Sequence, residues 1–164
     1  MRPAVWSAML LLAACHSGSQ NTAAPTGAGD QLEAAALASG LIIDPATRSL
    51  TGSWARETDH ACIVPAGDES RIGVVIDYGE GQACAGRGTV RRDGAALDIR
   101  LGSCRLHASF NGERITFPGA VPAACERLCT GRASLAAMTV DRLSDSRSEA
   151  ETLRAPNGRL MCAG

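Results

Sequence analysis

The stretch Gln82–Phe117, QACAGRGTVRRDGAALDIRLGSCRLHASFNGERITF, decides the fold. Asp93-Gly94, Gly102-Ser103 and Asn111-Gly112 each suit a two-residue hairpin and divide the stretch into four short strands. With those pairs as the turns, Val90 faces Leu97, Leu97 faces Ala108, and Ala108 faces Ile115. The next inward row is Gly88, Ile99, Leu106 and Phe117. Apolar residues of all four strands therefore share one face, as the two-residue alternation of a strand requires. Upstream, Arg71–Tyr78 reads as another strand with Val74 and Ile76 inward, and His60–Val64 as one more. The expectation is a mainly β fold of about five to seven antiparallel strands, a meander or small open barrel.

After Pro118 the pattern turns helical. Val121–Leu128 has Pro122 near its start and Gly131 beyond its end, and Ala133–Leu143 has approximate helical spacing. Ser146 with Glu149 forms a capping box leading a helix to about Leu153, and Arg159–Cys162 reads as a last extended piece. One β-rich domain over 31–164 is expected, with its meander at about 50–118, a small helical C-terminal cap at about 121–155 and a strand at 159–162. Ahead of it, Asp30 and Glu33 start a short helix that Gly40 stops.

The outward face of the meander carries charge. The expected register aligns Arg87, Arg100 and Arg105 across three strands, beside a row of Thr89, Asp98, His107 and Thr116. Like charges opposite one another on a sheet are mildly destabilising, so they sit in solvent or hold an anion. Guanidinium groups suit carboxylates and phosphates. Arg87, Arg100, Arg105 and His107 are thus either a solvated face or the site of an anionic partner.

The chain has 164 residues, a net charge of −1 and only 3% aromatic residues, and every one of its 16 basic residues is arginine. That balance excludes a protein driven by nucleic-acid phosphate contacts. Met1-Arg2-Pro3 is a short positive start, followed by the mostly apolar run Val5–Ala14. As a helix this run reaches about 15 Å, against a hydrocarbon core of about 30 Å, so it does not span. It ends in Leu12-Ala13-Ala14-Cys15, which resembles the lipobox of bacterial lipoproteins. The resemblance implies a signal peptide over 1–14 and lipidation of Cys15, whose acyl chains, palmitate among them, anchor the chain. His16–Asp30, HSGSQNTAAPTGAGD, has the composition of a flexible tether, so 15–30 links the lipid to the domain. Histidine rather than aspartate after Cys15 implies, by the same resemblance, the periplasmic side of the outer membrane.

With Cys15 assigned to lipid, Cys62, Cys84, Cys104, Cys125, Cys129 and Cys162 remain. An even count in an exported chain reads as a disulfide framework. Cys125 and Cys129, one helical turn apart, should take different partners, and Cys84 and Cys104 lie on strands separated by a third. Bridges from sheet to cap are expected, with Cys129–Cys162 as the leading single pair. Metal ligation through Cys125, Cys129 and Cys162, or through His60-Ala61-Cys62, has unusual spacing for zinc. Gly81–Gly88, GQACAGRG, resembles a phosphate loop, but Arg87 and Gly88 hold its Lys and Ser/Thr positions and a strand follows. No catalytic, cofactor or metal residue is assigned, and the chain is read as a non-enzyme.

Two further resemblances complete the reading. DYGEGQACAGRGTV at Asp77–Val90 and ACERLCTGRASL at Ala124–Leu135 are similar to segments of small uncharacterised lipoproteins of alphaproteobacteria. This implies an envelope location and no particular chemistry. Gly52-Ser53-Trp54 resembles the opening of lipocalin-like barrels and of periplasmic metalloprotease-inhibitor domains, where the tryptophan plugs one barrel end. The expected function is a lipid-anchored, non-catalytic binding or structural module with an envelope protein or anionic envelope polymer as partner. An inhibitor of a protease or lysozyme is the alternative, and a lipocalin-like carrier of a lipid or small ligand the third. A deep apolar cavity would favour the carrier; a filled core with a protruding arm would favour the inhibitor.

Overall fold

The computed structural model describes residues 27–41, 44 and 47–164. The residues read above as signal peptide, lipobox with Cys15 and most of the tether lie outside these described residues. The short helix α1, Ala28–Ala38, starts two residues before Asp30. Asp30 is its third residue and accepts from the Gly27 backbone N–H, instead of standing at the cap itself.

Eight antiparallel strands follow one another round a closed barrel. They are β1 Gly52–Arg56, β2 Asp59–Ala66, β3 Glu69–Asp77, β4 Ala83–Asp93, β5 Ala96–Leu101, β6 Cys104–Phe110, β7 Arg114–Thr116 and β8 Thr139–Ser144. The fold is mainly β with small helices and three disulfides, and pairing of β8 with β1 completes the circuit. Closure leaves no free sheet edge along most of the structure.

β8 corrects the helical cap expected over 121–155. Only α2, Ala123–Glu126, and α3, Arg147–Ala150, are helical there, the latter capped by Ser146 as anticipated. Thr139–Ser144 is a strand because the barrel needs an eighth member: without it, β7 and β1 would each expose a row of unpaired backbone groups. Its inward residues include Val140 and Arg142, and the arginine hides the apolar alternation. The expected strand at 159–162 is also absent. A closed barrel offers it no edge, so the segment lies across the outside and makes a single bridge, Arg154↔Leu160.

The turns shift the expected register without disturbing the faces. Gly94, Gly102 and Gly112 each take the first central position of their hairpin, with φ of 57°, 62° and 99°. A type II′ turn asks for positive φ at that position alone. Gly102-Ser103 already had its glycine first, so Leu97↔Ala108 and Ile99↔Leu106 pair as expected. At the other two turns the loop moves one residue along the chain, giving Val90↔Ile99, Arg92↔Leu97 and Phe110↔Ile115. Each shift replaces a residue's partner by the one two positions further on, so every inward residue stays inward.

Inside, Trp54, Ile63, Ile72, Ile76, Leu97, Ile99 and Ile115 form one packed cluster with side chains from all eight strands. A second, smaller cluster lies outside the barrel, where Ala150, Ala155, Met161 and Cys162 cover Cys62 and Val64 of β2 and Val75 of β3. β2 and β3 are therefore buried on both faces, which explains their continuous apolar runs Ala61–Val64 and Ile72–Ile76. Gly73 is required here, because a Cβ would collide with Met161.

The disulfides are Cys62–Cys162, Cys84–Cys129 and Cys104–Cys125. Cys125 and Cys129 do take different partners, and both reach the barrel wall. The expected pair Cys129–Cys162 is not formed, because the two residues lie at different places. Cys129 sits in the segment that plugs one end of the barrel, while Cys162 lies on the outer face of β2.

Two stability predictions follow from these contacts. A Cβ on Gly88 would run into the carbonyl of Arg100, whereas one on Gly119 meets open space. Gly88→Ala should cost about 3 kcal/mol or more in urea unfolding through overpacking, with Gly119→Ala close to neutral. Among paired Cys→Ala variants, loss of Cys62–Cys162, whose loop of 100 residues encloses the other two, should cost most. Its expected cost is roughly 4 kcal/mol from loop-closure entropy.

Candidate functional site

A side chain bordering a void wide enough for water keeps accessible surface there even when the void is closed. Trp54, Ile63, Ile72, Val74, Ile76, Leu97, Ile99, Cys104, Ile115, Leu135 and Val140 are each 0% exposed. The barrel interior is thus filled by its own side chains, as in small barrels generally. Both ends are shut as well. The segment 118–138, with Leu128, Ala133 and Leu135, plugs the end reached by Cys84 and Cys104.

Trp54 lies towards the other end. The Arg142 guanidinium lies 4.1 Å from its ring centroid, and Phe110 meets its edge at 5.8 Å. Arg142 donates to the carbonyls of Ser49 and Gly112 at 2.6 and 3.1 Å, and to the Asp145 carboxylate. Burial pushes its pKa down while Asp145 and Glu113 push it up. This arginine, missed in the sequence, is a structural clasp whose donors are turned to the protein's own carbonyls.

Binding chemistry is therefore sought on the outside. Of the four residues named for the anion patch, three come together. Arg100 stands directly opposite Arg105, and His107 opposite Asp98. Arg87 is a correction: the shifted turn places Thr89, not Arg87, opposite Arg100. Arg87 instead lies over β3, opposite Gly73, and donates to the carbonyl of Ala163 at 3.3 Å, so it secures the C-terminus. Thr116 likewise stands opposite Ser109 and not His107. Arg100 has only a 3.5 Å contact with Asp98, an exposed pair of the kind worth little. Arg105 makes no ion pair among the described residues.

His107 is central to this face. Its imidazole is 84% exposed and borders three adjoining grooves. One of about 470 Å³ is polar and reaches Arg91, Arg92, Asp93 and Asp98. Two of about 440 and 260 Å³ run along β6 between His107 and Pro118, and their only ionisable lining residues are Arg105 and His107. Nothing in this arrangement joins a nucleophile to a base, and all six domain cysteines are held in disulfides. The grooves can hold an anionic or hydrogen-bonding partner. No family model, curated protein or solved structure matches this chain.

A second charged cluster spans the closure. Asp141 of β8 accepts from Arg114 of β7 at 2.6 Å and from Arg56 of β1 at 3.0 Å. The Arg114 hydrogen bond, aided by Arg56, holds its pKa below the ordinary 3.8. Asp59 shifts the other way, chiefly by burial. A carboxyl with a depressed folded pKa adds stability above its unfolded value, and loses it as pH falls through the folded one. Asp141→Asn should lower thermal stability at neutral pH and flatten its decline below about pH 4. Parallel melting curves for the two proteins from pH 7 to pH 2 would remove this role.

Proposed function

We propose that the protein is a lipid-anchored, non-catalytic binding module of the bacterial cell envelope, held through Cys15 and facing the periplasm. Its partner is an anionic protein or polymer met by the outer face of β4, β5 and β6. The observation that carries this reading is the filled interior. It leaves the outside to do the binding, and there Arg100, Arg105 and His107 form a cationic face with few internal partners. The lipobox supplies the anchor, and the composition of residues 16–30 supplies a tether to hold the barrel off the bilayer.

The packed interior gives no support to a lipid or small-ligand carrier, since nothing the size of a ligand fits among side chains with no accessible surface. An inhibitor of a protease or lysozyme is favoured by one observation. α1 precedes the barrel with no buried residue, and Leu32 and Leu41 are 72% and 81% exposed, as an arm entering a cleft would be.

Fractionation and crosslinking in the native host test the proposal together. The wild-type chain should pellet with membranes carrying a diacylglyceryl mass on Cys15, and Cys15→Ser should move to the soluble envelope fraction. Crosslinked capture should recover an acidic partner that Arg100→Glu loses at least tenfold and Arg159→Glu, a remote exposed change, retains. Equal capture by Arg100→Glu would sink the cationic-face reading, and membrane retention of Cys15→Ser would sink the anchor.

A further inference from the structure

The barrel circuit is thin at β7. That strand has three residues, and its pairing with β6 covers only Ser109↔Thr116 and Phe110↔Ile115. β6 extends back to Cys104, so Cys104–Ala108 run on past the end of their neighbour. Continuing the register would set Pro118 opposite His107 and Ala120 opposite Arg105. Pro118 has no N–H to offer, and proline ends ladders for that reason.

The hydrogen-bond directions show which groups are left. Phe110 N–H donates to the Ala95 carbonyl at 2.8 Å, so even-numbered residues of β6 face β5. Asn111 N–H donates to the Arg114 carbonyl at 3.2 Å, so odd-numbered ones face β7. The backbone N–H and C=O of Arg105 and His107 therefore point into the grooves beside Pro118. Among the described residues, no backbone hydrogen bond from the 117–122 segment reaches them. The two grooves meet at His107 and Pro118 and run from Arg105 to Ser109. Ser109 is already paired with Thr116 of β7, so the open part of this edge runs from Arg105 to Ala108, about 10 Å, or three steps of extended chain at about 3.3 Å each.

We infer that β6 takes an extended acidic peptide segment of a partner protein as an added strand, paired to the backbone of Arg105 and His107. The main chain would supply the hydrogen bonds, and side chains at alternate positions the specificity. Acidity follows from charge. The ionisable residues lining the two grooves are Arg105 and His107, Arg100 stands on the neighbouring strand, and no carboxylate borders the grooves. Pairing with a second copy through the same edge would bring Arg105 towards its equivalent, and like charges across a ladder oppose association. One alanine and two prolines line the far wall, Ala120, Pro118 and Pro122, and accept small apolar side chains. The proposal rests on the cationic-face reading above and adds to it the edge and the peptide.

The test uses the folded chain with its disulfides intact and a blocked seven-residue peptide alternating glutamate and valine. Binding should slow hydrogen exchange at the amides of Arg105 and His107 at least tenfold while leaving residues of β2 and β3 unchanged. Methylating alternate peptide nitrogens on the pairing edge should weaken binding at least tenfold, as should Arg105→Glu, and a lysine–valine peptide should not bind. Equal binding of the methylated peptide would overturn strand addition. So would binding of dextran sulfate with the same amide protection, since that polyanion has no peptide backbone. Binding of dextran sulfate and of both acidic peptides, each lost in Arg100→Glu without amide protection, would overturn the added strand and keep the cationic face. Absence of binding by every anionic probe would overturn both.

Discussion

The stacking of Arg142 on Trp54 reinforces from the inside the β8–β1 seam that closes the barrel, and ties it to two neighbouring turns. The arginine comes from β8, the tryptophan from β1, and the carbonyls it binds belong to the approach to β1 and to the β6–β7 turn. A buried guanidinium is costly unless its donors are met and its charge is balanced. Here Ser49, Gly112 and Asp145 meet the two terminal nitrogens, Nε is left with only the Glu113 carboxylate at 3.6 Å, Glu113 and Asp145 balance the charge, and the indole covers the flat face. Asp141, the preceding residue, points the other way and draws Arg56 and Arg114 onto the same seam from outside. Adjacent residues of one strand thus secure closure from both faces, an economy that the two-residue alternation of a strand allows.

That clasp also marks where the sequence became hard to read. The meander Gln82–Phe117 was legible because glycine turns and alternating apolar residues agree, and parity survives a misplaced turn. Val90, Leu97, Ile99, Leu106, Ala108, Ile115 and Phe117 are all buried, although two of the three hairpins pair differently from the simplest assignment. β8 was not legible, since an arginine at an inward position looks like a solvent residue until its ring partner is known. The same blindness applies to pairings between distant segments. Which outward arginine meets which neighbour depends on register, so Arg87 dropped out of the charged face while Arg100, Arg105 and His107 stayed in it. The groove beside β6 was equally hidden, because it arises from the early end of β7 at Pro118.

With few aromatic residues to fill it, the barrel gains its second layer from a segment that is not part of the sheet. Met161, Cys162, Ala150 and Ala155 bury the outer faces of β2 and β3, and Arg71 and Arg87 fix the carbonyls of Cys162 and Ala163. One side of the barrel is thereby thickened and covered. The face of β4, β5 and β6 has no such cover, and that asymmetry separates scaffold from candidate binding surface more clearly than any single residue does.

The three disulfides are nested: Cys104–Cys125 lies inside Cys84–Cys129, which lies inside Cys62–Cys162. A chain emerging N-terminus first presents Cys62, Cys84 and Cys104 before any of their native partners. An oxidant acting on the first two of these six thiols to appear would join Cys62 to Cys84, and thiol–disulfide exchange must undo that link. Once Cys125 appears, however, the correct bonds can close in the order in which the last three cysteines arrive, each reaching one step further back. Production of the native barrel is accordingly sensitive to when oxidation happens, and favours conditions in which thiols stay free until the plug segment is in place.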